Sequence, residues 1–138
     1  IIQKRSNLEK GDILFSSIGR VGDCVLVENT PQNWNINESV FALKPNKNTV
    51  DPLYLMHTIH SENVLNDILS KITGSTFKSI KMAQLRKTII PVPTLKEQEK
   101  IGHYIQNIDK IITLHQRKLL YLVKCGQKSH YLIYIFIL

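Results

Sequence analysis

From residue 101 onward, apolar side chains recur along the chain at alternating intervals of four and three residues. The series consists of Ile101, Ile105, Ile108, Ile112, His115, Leu119 and Leu122. This is the heptad pattern of a helix that packs lengthwise against another helix, with a histidine as its single polar exception. A helix from Thr94 to Lys124 would be about 45 Å long, which is too long for a small domain to cover. The pattern therefore predicts a coiled-coil-type helix that requires a partner helix.

The start of this helix carries a capping signal. Thr94 and Glu97 have the spacing of a capping box, in which a hydroxyl and a carboxylate each satisfy a free backbone amide. After Lys124 the heptad pattern gives way to a polar segment and then to an aromatic, isoleucine-rich end. We therefore expect three segments: a globular domain over residues 1–93, the long helix over 94–125, and an atypical apolar tail over 126–138.

Short apolar runs precede the long helix, separated by glycine, proline and asparagine. Residues 13–15, 24–27 and 39–43 are rich in β-branched and aromatic side chains, and these runs predict three strands. Residues 89–93 resemble a short edge strand that runs into prolines.

Between the strands and the long helix, the pattern changes to a helical period. Asp51 before Pro52 predicts the start of one helix, and Ser61 is the expected N-cap of a second, which Gly74 would end. The predicted class is therefore α+β (mixed α/β): a globular domain followed by one long C-terminal helix.

Positive charge is in excess and is concentrated in one stretch. Eighteen Lys and Arg residues face eleven Asp and Glu residues, a net charge of +7 that favours a polyanionic partner. No acidic residue lies between Asp67 and Glu97, a stretch with a single aromatic residue, Phe77. Its candidate phosphate ligands are Lys71, Ser75, Lys78 and Lys81. The alternative interpretation is a solvated loop.

Arg20 is a second candidate for contact with nucleic acid. It lies between Gly19 and Gly22, and glycines let a backbone approach a phosphate closely while an arginine reaches guanine edges. A plain turn is the alternative.

No pattern of residues typical of catalysis is found. The segment 51–54, Asp-Pro-Leu-Tyr, approximates a motif of amino-methyltransferases, but Leu53 replaces its second proline and no glycine-rich cofactor loop precedes it. A helix start is the favoured interpretation. His57 and His60 lack a third ligand at a spacing suited to zinc. We expect no catalytic residue, no metal and no cofactor.

The two cysteines and the longest apolar run bear on location. Cys24 and Cys125 are too far apart for a zinc cluster or a disulfide scaffold, which fits a reducing, cytoplasmic compartment. The apolar run at residues 131–138 has eight residues, whereas a membrane-spanning helix needs about 20. No membrane partner is expected.

Several motifs occur in an order that resembles one protein family. They are the Gly-Asp-Ile-Leu-Phe-Ser run at 11–16 with Gly19 and Gly22, the asparagine-rich segment 35–40, residues 74–76 with Leu85, the Ile-Ile-Pro-Val-Pro run at 89–93, Glu97-Gln98 with Ile101, and segments 108–111 and 118–119. Over residues 8–124 this order resembles the target recognition domain and conserved helix of type I restriction–modification specificity subunits.

The resemblance implies a non-catalytic domain that recognises one half of a split double-stranded DNA target. It also implies that the conserved helix pairs with a second helix as a spacer, and that methyltransferase (modification) subunits are direct partners and the restriction subunit an indirect one. In such a domain, Arg20, Asn35 and Asn37 would read base edges, because arginine suits guanine and asparagine suits adenine.

The chain is shorter than a two-domain subunit of this kind, and we expect the start of the recognition domain to be absent before Ile1. A fragment, a truncated product and a half-subunit that acts as a homodimer are all compatible with this. Two other functions stay open: the recognition domain of a fused methyltransferase–endonuclease, and a degenerate fragment that serves assembly only.

Overall fold

The computed structural model describes residues 7–30, 34–74 and 76–136, with side chains described as far as Lys124. Within these ranges, the strands are β1 (Ile13–Ser16), β2 (Cys24–Leu26) and β3 (Val40–Leu43). The helices are α1 (Pro52–Ile59), α2 (Glu62–Ser70), α3 (Met82–Leu85) and α4 (Leu95–Phe136). The predicted α+β class with a long C-terminal helix is confirmed.

The chain divides into two compact units. The first, Ile1–His103, holds the sheet, α1 to α3 and the first turns of α4, and the second, Tyr104–Leu138, contains the rest of α4. Among the described residues, no helix combines the length and the apolar content that crossing a membrane requires.

The three strands form an antiparallel sheet with β1 in the centre. Ile13 and Phe15 of β1 are fully buried, while the two residues that alternate with them are half-buried, as expected for a strand with one covered face. Phe15 lies opposite Phe41 of β3, and their rings stack with centroids 6.5 Å apart. The central strand therefore provides the sheet's contribution to the core.

The core lies between β1 and the two adjacent helices α1 and α2. Its buried residues are Phe15, Val21, Ile59, Val64, Ile68 and Ile80. The predicted start of α1 is confirmed, because the Asp51 carboxylate accepts the backbone N–H of Tyr54 at 2.7 Å and Pro52 is the first helical residue.

The long helix α4 begins behind a cap made by Thr94 and Glu97. The Glu97 carboxylate accepts the Thr94 hydroxyl at 2.6 Å and the Thr94 backbone N–H at 3.0 Å. The Thr94 hydroxyl thus donates to the carboxylate, and the Glu97 N–H reaches the Thr94 carbonyl oxygen at 2.9 Å instead. Of the two reciprocal bonds expected for a capping box, the structure forms the one made by the carboxylate.

The cap also affects the acidity of Glu97. The hydrogen bond from the Thr94 hydroxyl, followed by that from the Thr94 amide, lowers the pKa of the Glu97 carboxyl. The folded protein therefore holds this proton less tightly than the unfolded chain does. The stabilisation that results is present above the unfolded pKa and is lost as the pH falls through the lower, folded pKa.

The buried side-chain amide of Gln98 connects the first turn of α4 to the rest of its unit through hydrogen bonds. The Gln98 side chain is completely buried, and its Oε1 accepts the backbone N–H of Asp51 at 2.9 Å. Its Nε2 donates to the carbonyl oxygens of Pro93 at 2.8 Å and Thr49 at 3.1 Å. One side chain thereby satisfies three backbone groups from two separate segments.

The next turn of α4 approaches α1 closely. A Cβ atom at Gly102 would lie 3.0 Å from the backbone nitrogen of Tyr54, so a side chain at this position would force the two helices apart. The Tyr54 hydroxyl also donates to the Pro91 carbonyl oxygen at 2.8 Å. The N-terminus of α1 is therefore the contact region for both α4 and the segment before it.

Two local predictions are wrong, and one short helix was not predicted. Helix α2 ends at Ser70 rather than near Gly74, because Thr73 pairs with Ser79 through two backbone hydrogen bonds. The four-residue helix α3 was not predicted. Residues 89–93, all of them described, form no strand, since two of them are prolines and the carbonyls of Pro91 and Pro93 bind side chains.

The helix α4 also continues beyond the predicted segment boundary at residue 125. Its backbone remains helical to Phe136, so most of the predicted tail 126–138 is helical, and residues 137 and 138 lie outside the described residues. The division of the chain at 125/126 stays a prediction.

Replacing the buried amide should destabilise this unit. We expect Gln98→Ala to lower the free energy of unfolding by about 2–4 kcal/mol, because it leaves buried backbone donors and acceptors without partners. Urea denaturation followed by circular dichroism measures this. Gln106→Ala, on the same helix with one exposed hydrogen bond to Lys110, is the control and should change stability by less than about 0.5 kcal/mol. Equal effects of the two changes would contradict the assignment.

Candidate nucleic-acid interface

Loops from three parts of the chain meet where β1 ends. The backbone N–H of Ser17 donates to the Ser39 carbonyl oxygen at 2.8 Å, and the Ser17 carbonyl oxygen accepts the Ile80 N–H at 2.9 Å. Next to it, the Gly19 N–H donates to the Lys78 carbonyl oxygen at 3.0 Å. We call residues 17–20, 37–39 and 77–81 together the loop junction. Three of the predicted contact residues, Arg20, Asn37 and Lys78, lie in separate loops of this junction.

One of these loops is closed by its own hydrogen bonds. Thr73 and Ser79 exchange backbone N–H···O bonds of 2.9 and 3.0 Å, and Ser79 also pairs with Ile18. Gly74 has a φ of +97°, and a Cβ atom there would lie 2.4 Å from the Phe77 carbonyl oxygen. The loop therefore requires glycine at position 74 for both conformation and space.

Arg20 occupies an exposed position between two glycines that have different roles. Its side chain is 88% exposed, and its Nε lies 2.8 Å from the exposed carboxylate of Asp23. Ion pairs of this kind contribute at most about 1 kcal/mol, so the guanidinium is available to another anion. A Cβ atom at Gly22 would meet the Leu65 side chain at 2.6 Å, whereas Gly19 has open space around it. Only Gly19 leaves room for a ligand to approach the backbone.

The remaining polar candidates differ in how firmly they are held. Asn37 is exposed, and its side-chain oxygen accepts the Ser39 N–H at 3.0 Å, which fixes its orientation. Asn35 is also exposed. Lys78 and Lys81 are exposed, and among the described residues neither has an acidic side chain within ion-pair distance. Both lysines belong to the loop junction, whereas Arg86 and Lys87, two exposed cations that follow them, lie outside it.

Lys71 is engaged elsewhere. Its ammonium group pairs with the Asp67 carboxylate one helical turn earlier and donates to the Thr88 hydroxyl at 3.3 Å. The side chain is only 18% exposed, and its hydrogen bond is the main cause of a lowered pKa of the Asp67 carboxyl. Its role as a DNA ligand stays a prediction. Ser75, another predicted contact, lies outside the described residues.

Cys24 and His60 are two chemically reactive side chains that lie close together. The Cys24 thiol lies 3.4 Å from the His60 Nε2 and donates to the Met56 carbonyl oxygen at 3.7 Å. Burial and, secondarily, the Asp23 carboxylate raise the pKa of the thiol to about 12, so it is protonated at neutral pH. In the part of the chain that the structure describes, no three His, Cys, Asp or Glu side chains are grouped as metal ligands would be.

The predicted seam of α4 is largely exposed in the single chain. Ile101, Ile108, Ile112, Leu119 and Leu122 are exposed, as is His115, while Ile105 is half-buried. Tyr104 and Ile111 directly precede the seam residues Ile105 and Ile112 and are also exposed, which widens the apolar stripe. The strict four-three spacing missed these two residues, although a search for apolar residues one position before the seam would have found them.

The chain matches the family described as the type I restriction modification DNA specificity domain over residues 3–123. It is 31% identical over 108 residues to the MjaX type I restriction enzyme specificity subunit of Methanocaldococcus jannaschii, a match that covers 74% of this chain and 25% of that protein. It is 24% identical over 105 residues to the EcoBI type I restriction enzyme specificity subunit of Escherichia coli, covering 76% of this chain and 22% of that protein.

Solved structures share the fold. The HsdS subunit of Thermoanaerobacter tengcongensis superposes with a TM-score of 0.66 at 21% identity, over 83% of this chain and 30% of that one. The type I restriction-modification S subunit of M. genitalium gives a TM-score of 0.54 at 20% identity, over 75% of this chain and 27% of that one. The chain thus spans about a quarter of the length of the curated relatives it matches.

Gly19 of the loop junction and Gly74, which lies in the loop before residues 77–81, should differ in their tolerance of a side chain. Both have positive φ, but Gly19 has open space around it, whereas a Cβ at Gly74 would collide with backbone. Gly19→Ala should cost about 1 kcal/mol of unfolding free energy, and Gly74→Ala at least 1 kcal/mol more, because the loop must also move. Urea denaturation of both variants decides this, and the reverse order would show that the loop is not held as described.

Proposed function

Because the chain belongs to the family of type I restriction modification DNA specificity domains, we propose that it recognises double-stranded DNA as a specificity component of a type I restriction–modification complex. In this role it directs methylation and cleavage by partner subunits and is not itself catalytic. The observation that carries the proposal is the loop junction, where Gly19 and Lys78 are hydrogen-bonded and so hold Arg20 beside the acid-free stretch.

The proposed recognition has two parts. Lys78 and Lys81 contact phosphates, which positions the domain on the duplex without reading sequence. Arg20, Asn35 and Asn37 read base edges, since a bidentate contact of arginine to guanine or asparagine to adenine discriminates by about 1–3 kcal/mol. Lys71 stays a predicted phosphate ligand, although its ammonium group would have to leave the Asp67 carboxylate to make that contact.

The helix α4 has a separate proposed role. Its exposed apolar stripe pairs with a second helix of the same kind, which spaces two recognition domains along a split target, and the chain forms a homodimer if it acts as a half-subunit. Methyltransferase subunits are the proposed direct partners and the restriction subunit an indirect one, in the cytoplasm. In this scheme residues 1–93 recognise DNA and residues 94–125 form the spacer, followed by the tail 126–138.

DNA binding should depend steeply on salt and on the two exposed lysines. The plot of log affinity against log salt concentration has a negative slope, and this slope should become shallower by roughly 1.8 in the double variant Lys78→Ala/Lys81→Ala. The reason is that each lost phosphate contact removes about 0.9. Fluorescence anisotropy with duplexes of several sequences measures this, and all should weaken alike. Lys110→Ala, on α4, is the matched control and should leave the slope unchanged.

Arg20→Ala should behave differently from the lysine variants. It should reduce preference at one base pair by about 1–3 kcal/mol in addition to weakening binding. If the unaltered chain shows no salt-dependent binding to any duplex, the assembly-only function replaces recognition. A methyltransferase domain encoded upstream in the same reading frame would instead support the fused methyltransferase–endonuclease.

Self-association should depend on the apolar stripe of α4. Ile108→Asp places a charge on the stripe and should convert a dimer to a monomer in sedimentation velocity, because burying an unpaired carboxylate is costly. Asn107→Asp adds the same group at an exposed position off the seam and should leave the dimer intact. A monomeric unaltered chain at tens of micromolar would refute pairing through this stripe.

A further inference from the structure

We propose that Phe77 is a wedge that enters the base stack of a DNA duplex bound at the loop junction. The inference rests on the proposed function and deepens it, because it assigns one residue a part in reading the deformability of DNA. Phe77 is 79% exposed, although phenylalanine is usually buried. A single exposed apolar side chain has no meaning by itself, and what distinguishes Phe77 is the backbone that carries it and the charges around it.

The backbone that carries Phe77 is held in place. Its carbonyl oxygen lies where a side chain at position 74 would stand, so Gly74 packs directly against it. The loop is closed at its base by the Thr73–Ser79 pair and continues into Ile80, which is buried in the core. These two constraints limit the positions that the Phe77 backbone can take, which lowers the entropy lost on binding.

The surroundings of Phe77 select a polyanion as its partner. Its neighbour Lys78 is an exposed cation, and the hydrogen bond from Gly19 places that residue beside the loop of Arg20. No acidic residue occurs between positions 67 and 97. Because Lys78 follows Phe77 directly, the proposal places the ring beside a duplex whose phosphates contact this lysine.

The chemistry of wedge residues matches this arrangement. Proteins that kink DNA insert apolar side chains such as phenylalanine between base steps, and the unstacking costs least at flexible pyrimidine–purine steps. Phe77 would therefore favour targets that carry such a step where the ring enters. This preference comes from the ease of deformation and adds to base-edge reading by Arg20.

The test uses the full chain and the duplex most enriched from a random pool by in vitro selection. Phe77→Ala should weaken binding to this duplex by about tenfold, as expected for the loss of one aromatic contact with a base. Phe77→Leu should lose less, because leucine also acts as a wedge. Ile89→Ala, which removes a side chain of comparable exposure (87%) outside the Phe77 loop, should bind like the unaltered chain.

A fluorescent base reports the unstacking directly. 2-Aminopurine at a pyrimidine–purine step of the selected duplex should brighten when the unaltered chain binds, and should not brighten with saturating Phe77→Ala. Equal affinity and equal brightening with Phe77→Ala would overturn the wedge while the salt slope that depends on Lys78 still supports recognition. Failure of the unaltered chain to enrich any sequence or to bind with a salt slope would overturn the proposed function, and the wedge with it.

Discussion

The backbone of Ser17 holds together the surface to which we assign function. This residue is almost completely buried, so its N–H and carbonyl groups must find partners inside the protein. They bind Ser39 on one side and Ile80 on the other. Three loops that are distant in sequence therefore meet because one strand end has two polar groups to satisfy. Without this pairing, Arg20 and Lys78 would belong to unrelated loops.

The secondary structure that was predicted correctly is set by residues close to one another in the sequence. The strands follow from short β-branched runs, and the start of α1 follows from Asp51 before a proline. The predicted end of α2 near Gly74 is wrong because the backbone of Thr73 pairs with Ser79 instead of continuing the helix. Pairing across a loop leaves no periodic pattern in the sequence. The family resemblance, confirmed by the match over residues 3–123, depended on the order of several motifs rather than on any one element.

In the candidate site, too, the sequence predicts charge but not which side chains are paired, buried or exposed. Charge alone placed Lys71 and Lys78 in one group, yet Lys71 is paired with Asp67, a partner four residues away that the sequence could have revealed on a helix. Gln98 was missed as an anchor because a polar residue among charged neighbours suggests exposure, whereas burial depends on which backbone groups need partners. The exposure of Phe77 could not be predicted from the sequence either, since a lone aromatic residue is usually buried.

The residues that would touch DNA are separate from those that hold the fold. Arg20, Phe77 and Lys78 are exposed and lie outside the core cluster, whereas Gly74 and Ser17 set the backbone that carries them. Substitutions at the exposed positions should therefore alter binding with little change in stability, whereas substitutions at the supporting positions should lower stability and also displace the contact residues. In the proposed role, changes of loop side chains could give this domain a new target, because the hydrogen bonds that join its loops come from backbone atoms and do not depend on those side chains.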